Sequence, residues 1–86
     1  MNQDKPLFIV TGATGGIGRA TSVALALEGK ALVLACRNVN TAAIFARELI
    51  AKTGNDDISV LRLDLASFAS IRTFVDDLKA ALRSSG

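Results

Sequence analysis

The stretch Thr11-Gly12-Ala13-Thr14-Gly15-Gly16-Ile17-Gly18 constrains this chain more than any other. Before it runs Leu7-Phe8-Ile9-Val10, an apolar strand; after it, Arg19 to Glu28 reads as a helix. A chain that passes from strand to helix through one glycine turn adopts backbone angles that side chains resist, and it leaves no Cβ in front of the turn. The helix beginning there points unpaired N–H groups and the positive end of its dipole at whatever lies ahead. A pyrophosphate fits such a place. The glycines at 12, 16 and 18, with Gly15 extra, depart from the G-x-G-x-x-G spacing of many dinucleotide loops. The plainer alternative is a turn that simply needs glycine. A P-loop would place Lys and Ser or Thr after the last glycine; Arg19-Ala20 follows instead, which argues against that class.

The rest of the chain repeats the alternation. Pro6 suits a strand entrance, and the unbroken apolarity of Leu7 to Val10 suits a strand covered on both faces. Spacing in the first helix places Ile17, Ala20, Thr21, Ala24 and Leu27 on its inner side, with Gly29 as the stop. Ala31 to Cys36 is a second buried strand. Arg37-Asn38-Val39 turns the chain, and Asn40 is the expected cap of a helix through Thr53, with Ala42, Phe45, Ala46, Leu49 and Thr53 inward and Gly54 at its end. Asn55-Asp56-Asp57 is a polar loop. Ile58 to Leu63 alternates more, as a strand nearer an edge does. Ser67 is the expected cap of a last helix with Ile71, Phe74, Val75, Leu78 and Leu82 inward. A βαβαβα order implies right-handed crossovers and a parallel sheet of order 3-2-1. The fold class is therefore α/β: a Rossmann-like three-layer half-domain whose sheet is incomplete.

Composition removes several functions. Eighty-six residues make one small domain at most. A formal charge of +2, spread without a basic cluster, and only four aromatic residues, all Phe, offer nothing to a nucleic acid. The lone Cys36 allows no internal disulfide and makes a reducing compartment the default, cytoplasmic in the absence of any signal or transit sequence. No run reaches the roughly 18 apolar residues of a membrane span. Without His and with one Cys, thiolate–imidazole metal sites and His-based triads are excluded. Cys36 itself reads as a small buried hydrophobe.

The end of the second strand chooses the ligand. In dinucleotide folds it lies beside the adenosine ribose, and an acid there accepts from the 2′-hydroxyl of NAD. This chain has Cys36-Arg37-Asn38 instead. A guanidinium grips a phosphate through a charge-assisted fork, so Arg37 on a 2′-phosphate predicts NADP over NAD. The alternative is that Arg37 is a solvated turn residue. The same position argues against methyltransferases, which want an acid there. Arg19 is a second basic candidate, either near the phosphates or pointing to solvent. Asn38 is either a hydrogen-bonding ligand of the ribose or phosphate or a turn residue.

Thr11-Gly12-x-x-x-Gly16-Ile17-Gly18, Ala35-Cys36-Arg37-Asn38, Leu63-Asp64-Leu65-Ala66-Ser67 and Ser70-Ile71-Arg72-x-Phe74-Val75 together resemble the short-chain dehydrogenase/reductase family. They look most like its NADP-using branch that includes retinol dehydrogenases and light-dependent protochlorophyllide reductases. The resemblance runs from Leu7 to about Leu82. It implies that Asp64 accepts from the adenine amino group and that a neighbouring backbone N–H donates to a ring nitrogen. Asp64 as a helix cap or loop residue is the alternative. The candidate cofactor contacts are thus Thr11, Gly12, Thr14, Gly15, Gly16, Ile17, Gly18, Arg37, Asn38, Asp64 and Leu65.

The resemblance also implies hydride transfer between a nicotinamide and a carbonyl, an alcohol or an activated double bond. The family's Asn-Asn-Ala-Gly segment, catalytic Ser and Tyr-x-x-x-Lys have no counterpart in this sequence, which holds no Tyr. No catalytic or metal-binding residue is therefore assigned. Residues 1–86 are expected to be the N-terminal cofactor-binding part of a longer oxidoreductase, inactive alone, with substrate bound only by the full-length enzyme. In a complete doubly wound sheet the first strand is central, so here it is expected to be an apolar edge prone to self-association. Two further readings stay open: a non-enzymatic NADP-binding sensor, and a remnant that only pairs through its open edge.

Overall fold

Six consecutive residues of the strand Ala31–Cys36 are buried, and the molecule is built outward from them. The computed structural model describes the backbone of residues 6–85 and the side chains of residues 6–81. Its elements are β1 (Leu7–Thr11), α1 (Gly16–Leu27), β2 (Ala31–Cys36), α2 (Val39–Thr53), β3 (Ile58–Arg62) and α3 (Phe68–Ser85). The strands are parallel, with β2 between β1 and β3, which is the expected order 3-2-1. Leu7 stands beside Ala31 and Leu32 beside Ile58, so the three strands end nearly level.

Side chains alternate across a strand, and the two faces of β2 meet different helices. Leu32, Leu34 and Cys36 pack with Phe45, Ala46 and Leu49 of α2 and Ala26 of α1. Val33 and Ala35 face the other way, toward Leu63 and Phe74, with Ile71 and Leu78 of α3 alongside. Two helices therefore cover one face and one helix the other. Each fully buried Leu, at positions 32, 34 and 49, contributes about 1.5–3 kcal/mol relative to exposure.

The edges differ from the centre. β3 exposes Ser59 and Arg62, as its alternation predicts. β1 is as apolar as β2 yet buries only Val10, and Ile9 is 43% exposed. No strand pairs with its outer side among the described residues. It is an apolar edge, as expected.

Two helix expectations are corrected. The inner side of α1 is not the stripe Ile17, Ala20, Thr21, Ala24 and Leu27. Ser22 and Ala26 are buried, with Val23 and Leu25 packed beside the core, while Ile17 is 87% and Leu27 65% exposed. The reason is close approach. Gly18, Ser22 and Ala26, four apart, form a row of small residues that lets the helix lie near the turn and the sheet. In α2 the predicted face is buried at Ala42, Phe45, Ala46 and Leu49, and Thr53 is half-buried. Its cap, however, is Asn38 and not Asn40. Asn38 keeps extended backbone angles, and its Oδ1 accepts from the N–H groups of Asn40 and Thr41. Asn40 already lies inside the helix.

α3 begins as predicted: the Ser70 N–H donates to Ser67 Oγ. Ile71, Phe74 and Leu78 face the sheet, whereas Val75 is 40% exposed. Leu82 lies outside the described side chains. At the opposite end of the sheet Asn55 fastens three connections. Its Nδ2 donates to Ala26 O at 3.1 Å and Lys30 O at 2.8 Å, and its Oδ1 accepts from Asp57 N–H at 2.9 Å. Among the described residues no helix is long and apolar enough to cross a membrane.

Candidate functional site

Because the three strands end level, the three loops that follow them gather at one edge of the sheet. An open cleft of about 410 Å³ lies there. Its walls come from the glycine loop (Thr11, Gly12, Thr14), the end of β2 (Ala35 to Asn38) and the turn after β3 (Leu63 to Ala66). Seven of the eleven candidate contacts therefore share one cleft: Thr11, Gly12, Thr14, Arg37, Asn38, Asp64 and Leu65. Gly15, Gly16, Ile17 and Gly18 are not on its wall; they form the start of α1 beside Gly12.

The glycine loop is fixed by its own backbone. Gly12 has φ +62°, a conformation that other residues adopt only with strain. Its N–H donates to Ala35 O at 3.3 Å, which ties the loop to β2. Its carbonyl accepts from Gly15 N–H at 3.0 Å. A Cβ on Gly18 would come within 2.2 Å of that carbonyl oxygen and 2.9 Å of Ala13 Cα, so glycine is obligatory there. Ala13, fully buried, seals the turn from beneath.

The first helical bond of α1 is Arg19 N–H to Gly15 O, at 2.7 Å. The N–H groups of Gly16, Ile17 and Gly18 precede it and, as the first of a helix, have no carbonyl four residues back to donate to. The N-cap is Gly15 and supplies no side-chain acceptor. A Cβ on Gly16 would meet no protein atom within 4 Å, so the fold itself does not demand glycine at that position. Uncapped donors beside open space, at the positive end of a helix dipole, form a cradle for an anion.

Arg37 is exposed on the cleft wall beside Asn38. The Asn38 side-chain oxygen is occupied by the start of α2, which leaves its Nδ2 donor for any ligand. Asp64 is half-buried. Its Oδ1 accepts from Ala66 N–H at 3.0 Å, and its own N–H donates to Ser70 Oγ at 2.8 Å. Leu65, exposed, forms the outer lip of the cleft. Leu63 N–H donates to Cys36 O at 3.0 Å and extends the strand pairing to the cleft floor.

Arg19 is not brought to the cleft. Its Nη2 lies 3.3 Å from Glu48 Oε2, and its guanidinium sits 4.3 Å above the centre of the Phe45 ring. Stacking on an aromatic face while pairing with a carboxylate directs this side chain at α2. Cys36 is buried against the α2 core, the role expected of it. No group of three or more His, Cys, Asp or Glu gathers to hold a metal among the described residues. Sequence reasoning missed Ser70, whose hydroxyl becomes a partner of Asp64 only once α3 folds back onto the end of β3.

Comparison with known proteins agrees with this fold. A family model described as short chain dehydrogenase matches residues 7–84. Retinol dehydrogenase 11 of Mus musculus is 49% identical over 72 residues, which are 84% of this chain and 23% of that protein. Menthone neomenthol reductase from Mentha piperita superposes with a TM-score of 0.82 at 32% identity, over 90% of this chain and 28% of that one. An alcohol dehydrogenase from the archaeon Thermococcus sibiricus, complexed with 5-hydroxy-NADP, gives a TM-score of 0.78 at 32% identity, over 87% of this chain and 32% of that one. The chain spans less than a quarter of the length of the curated relatives it matches.

Proposed function

This chain belongs to the short-chain dehydrogenase family and resembles its retinol dehydrogenase branch, and from that premise we propose that it is the NADP(H)-binding part of an oxidoreductase. Residues 1–86 are, in this reading, the N-terminal portion of a longer nucleotide-binding domain. The observation that carries it is one cleft walled by the glycine loop, Arg37 and Asp64, with the uncapped start of α1 beside that loop. The amides of Gly16, Ile17 and Gly18 hold the pyrophosphate, with Thr11, Gly12, Thr14 and Gly15 shaping the loop around it. Arg37, helped by the Nδ2 group of Asn38, holds the 2′-phosphate. The free oxygen of Asp64 accepts from the adenine amino group, and the Leu65 N–H donates to the ring. When bound, the reduced cofactor would give hydride to a carbonyl or an activated double bond, and the oxidised cofactor would take hydride from an alcohol. This chain's own residues bind and orient its adenosine half, and they provide no acid or base for the chemistry.

The open side of β1 supports the same reading over a stand-alone sensor. Ile9 is an exposed apolar residue of β1, the strand whose outer side pairs with no other among the described residues. The full enzyme's proton donor and nicotinamide pocket are then expected from sequence outside these residues.

The test is titration of the protein with NADP and with NAD, comparing wild type with Arg37→Asp. A charge-assisted pair with phosphate is worth about 1.5–3 kcal/mol, roughly ten- to a hundredfold in affinity. NADP affinity should fall by that factor in the variant while NAD affinity holds or rises. Unchanged NADP affinity would remove Arg37 from the site and NADP from the reading.

A further inference from the structure

We propose that Ser70 is a positioning residue for the adenine end of the site: it presets Asp64 and Leu65 to read an aminopurine edge. This rests on the assignment of Asp64 and Leu65 above. Asp64 is held at three atoms. Its carbonyl accepts from Ser67 N–H at 3.1 Å, its Oδ1 accepts from Ala66 N–H at 3.0 Å, and its N–H donates to Ser70 Oγ at 2.8 Å. The first two bonds span two or three residues and form with the turn itself. The third spans six and is the one that joins the turn to the body of α3.

Ser70 is itself anchored. Its N–H donates to Ser67 Oγ at 3.2 Å, and the next residue, Ile71, packs with Phe74 against Val33, Ala35 and Leu63. The hydroxyl thus transmits the position of a packed helix to the residue that would face the base. Two groups on this turn take no partner among the described residues: Asp64 Oδ2, an acceptor, and Leu65 N–H, a donor. An acceptor beside a donor complements an adenine edge, which offers an amino hydrogen and a ring nitrogen lone pair. Hypoxanthine reverses both, with a carbonyl oxygen and a ring N–H. A rigid turn discriminates between the two bases; a loose one rotates and accepts either.

The experiment measures binding of NADP and of its hypoxanthine analogue to the protein. Wild type should prefer NADP by about tenfold or more, the value of one hydrogen bond to a charged group. In Ser70→Ala that preference should shrink to about twofold, chiefly through weaker NADP binding. Ser70→Thr keeps the hydroxyl and should keep the preference, whereas Ser70→Val, its isostere without one, should behave like Ser70→Ala. A variant that weakens both ligands equally, or Val and Thr variants with the same preference, would overturn the role given to Ser70. Absence of any preference in wild type would instead overturn the assignment of Asp64, a separate failure.

Discussion

α1 and α2 begin at the same edge of the sheet and are finished differently. α2 starts with Asn38, whose carbonyl oxygen on the side chain takes two of the orphan N–H groups. α1 starts with Gly15, which takes none. A capping side chain is worth about 1 kcal/mol, and Ser or Asn at position 15 would meet no backbone obstacle, since its φ is −81° and its Cβ would lie 3.5 Å from the nearest atom. The fold gives no reason to omit a cap at α1. The omission leaves backbone donors without a side-chain cap, and the contrast separates the helix start that serves stability from the one to which the proposed function gives the pyrophosphate.

The largest test of that separation uses two glycines of one loop. Gly18→Ala drives a methyl into Gly12 O and Ala13 Cα, backbone atoms that cannot yield, and should cost about 3 kcal/mol of stability in chemical denaturation. Gly16→Ala meets only open space, so its stability should stay within about 0.5 kcal/mol of wild type. Its NADP affinity should nonetheless fall by about tenfold, because the methyl would enter the open space that the proposed function gives to the pyrophosphate. If both variants lose stability alike, the two glycines serve the fold alone and the contrast fails.

How much of this was legible in sequence follows from the same physics. Strand order was readable because a βαβαβα alternation allows few arrangements, and the face of α2 because its apolar pattern had one phase. The face of α1 was not. Apolar residues occur at nearly every phase of Gly16–Leu27, so periodicity points nowhere, and the contact of Gly18 with Gly12 decides the rotation. Asn38 and Asn40 are equally good caps by type; only the path of the chain leaving β2 selects the first. Arg19 looked available to phosphates because its partners, Phe45 and Glu48, lie on another helix. Ser70 stood out only as part of a family motif, and nothing in its spacing tied its hydroxyl to Asp64. The candidate cleft was legible where contacts follow strand ends and illegible where one helix must meet another element.

Asn38→Ala probes the other half of the comparison. Removing the cap should destabilise the fold by about 1 kcal/mol, seen as a lower denaturant midpoint with unchanged slope. NADP affinity should also fall, by about three- to tenfold, since alanine removes the Nδ2 donor assigned to the 2′-phosphate together with the oxygen turned to the helix. Unchanged affinity would mean that the Asn38 side chain serves α2 alone and that its Nδ2 is no partner of the phosphate.

The substitution expected to raise stability is the most instructive. Gly15→Asp installs the missing cap and places a carboxylate at the positive end of α1. Replacing glycine at an N-cap gains only a few tenths of a kcal/mol, and the negative charge near the dipole adds about 0.3–1 kcal/mol. The protein should therefore become slightly more stable. The same carboxylate satisfies the amides of Ile17 and Gly18 from within the chain and repels a pyrophosphate, so NADP affinity should drop by about tenfold or more. Stability and binding would then move in opposite directions from one substitution. A cap that improves the helix and leaves NADP binding intact would show that these amides were never the phosphate's partners, whatever else the cleft holds.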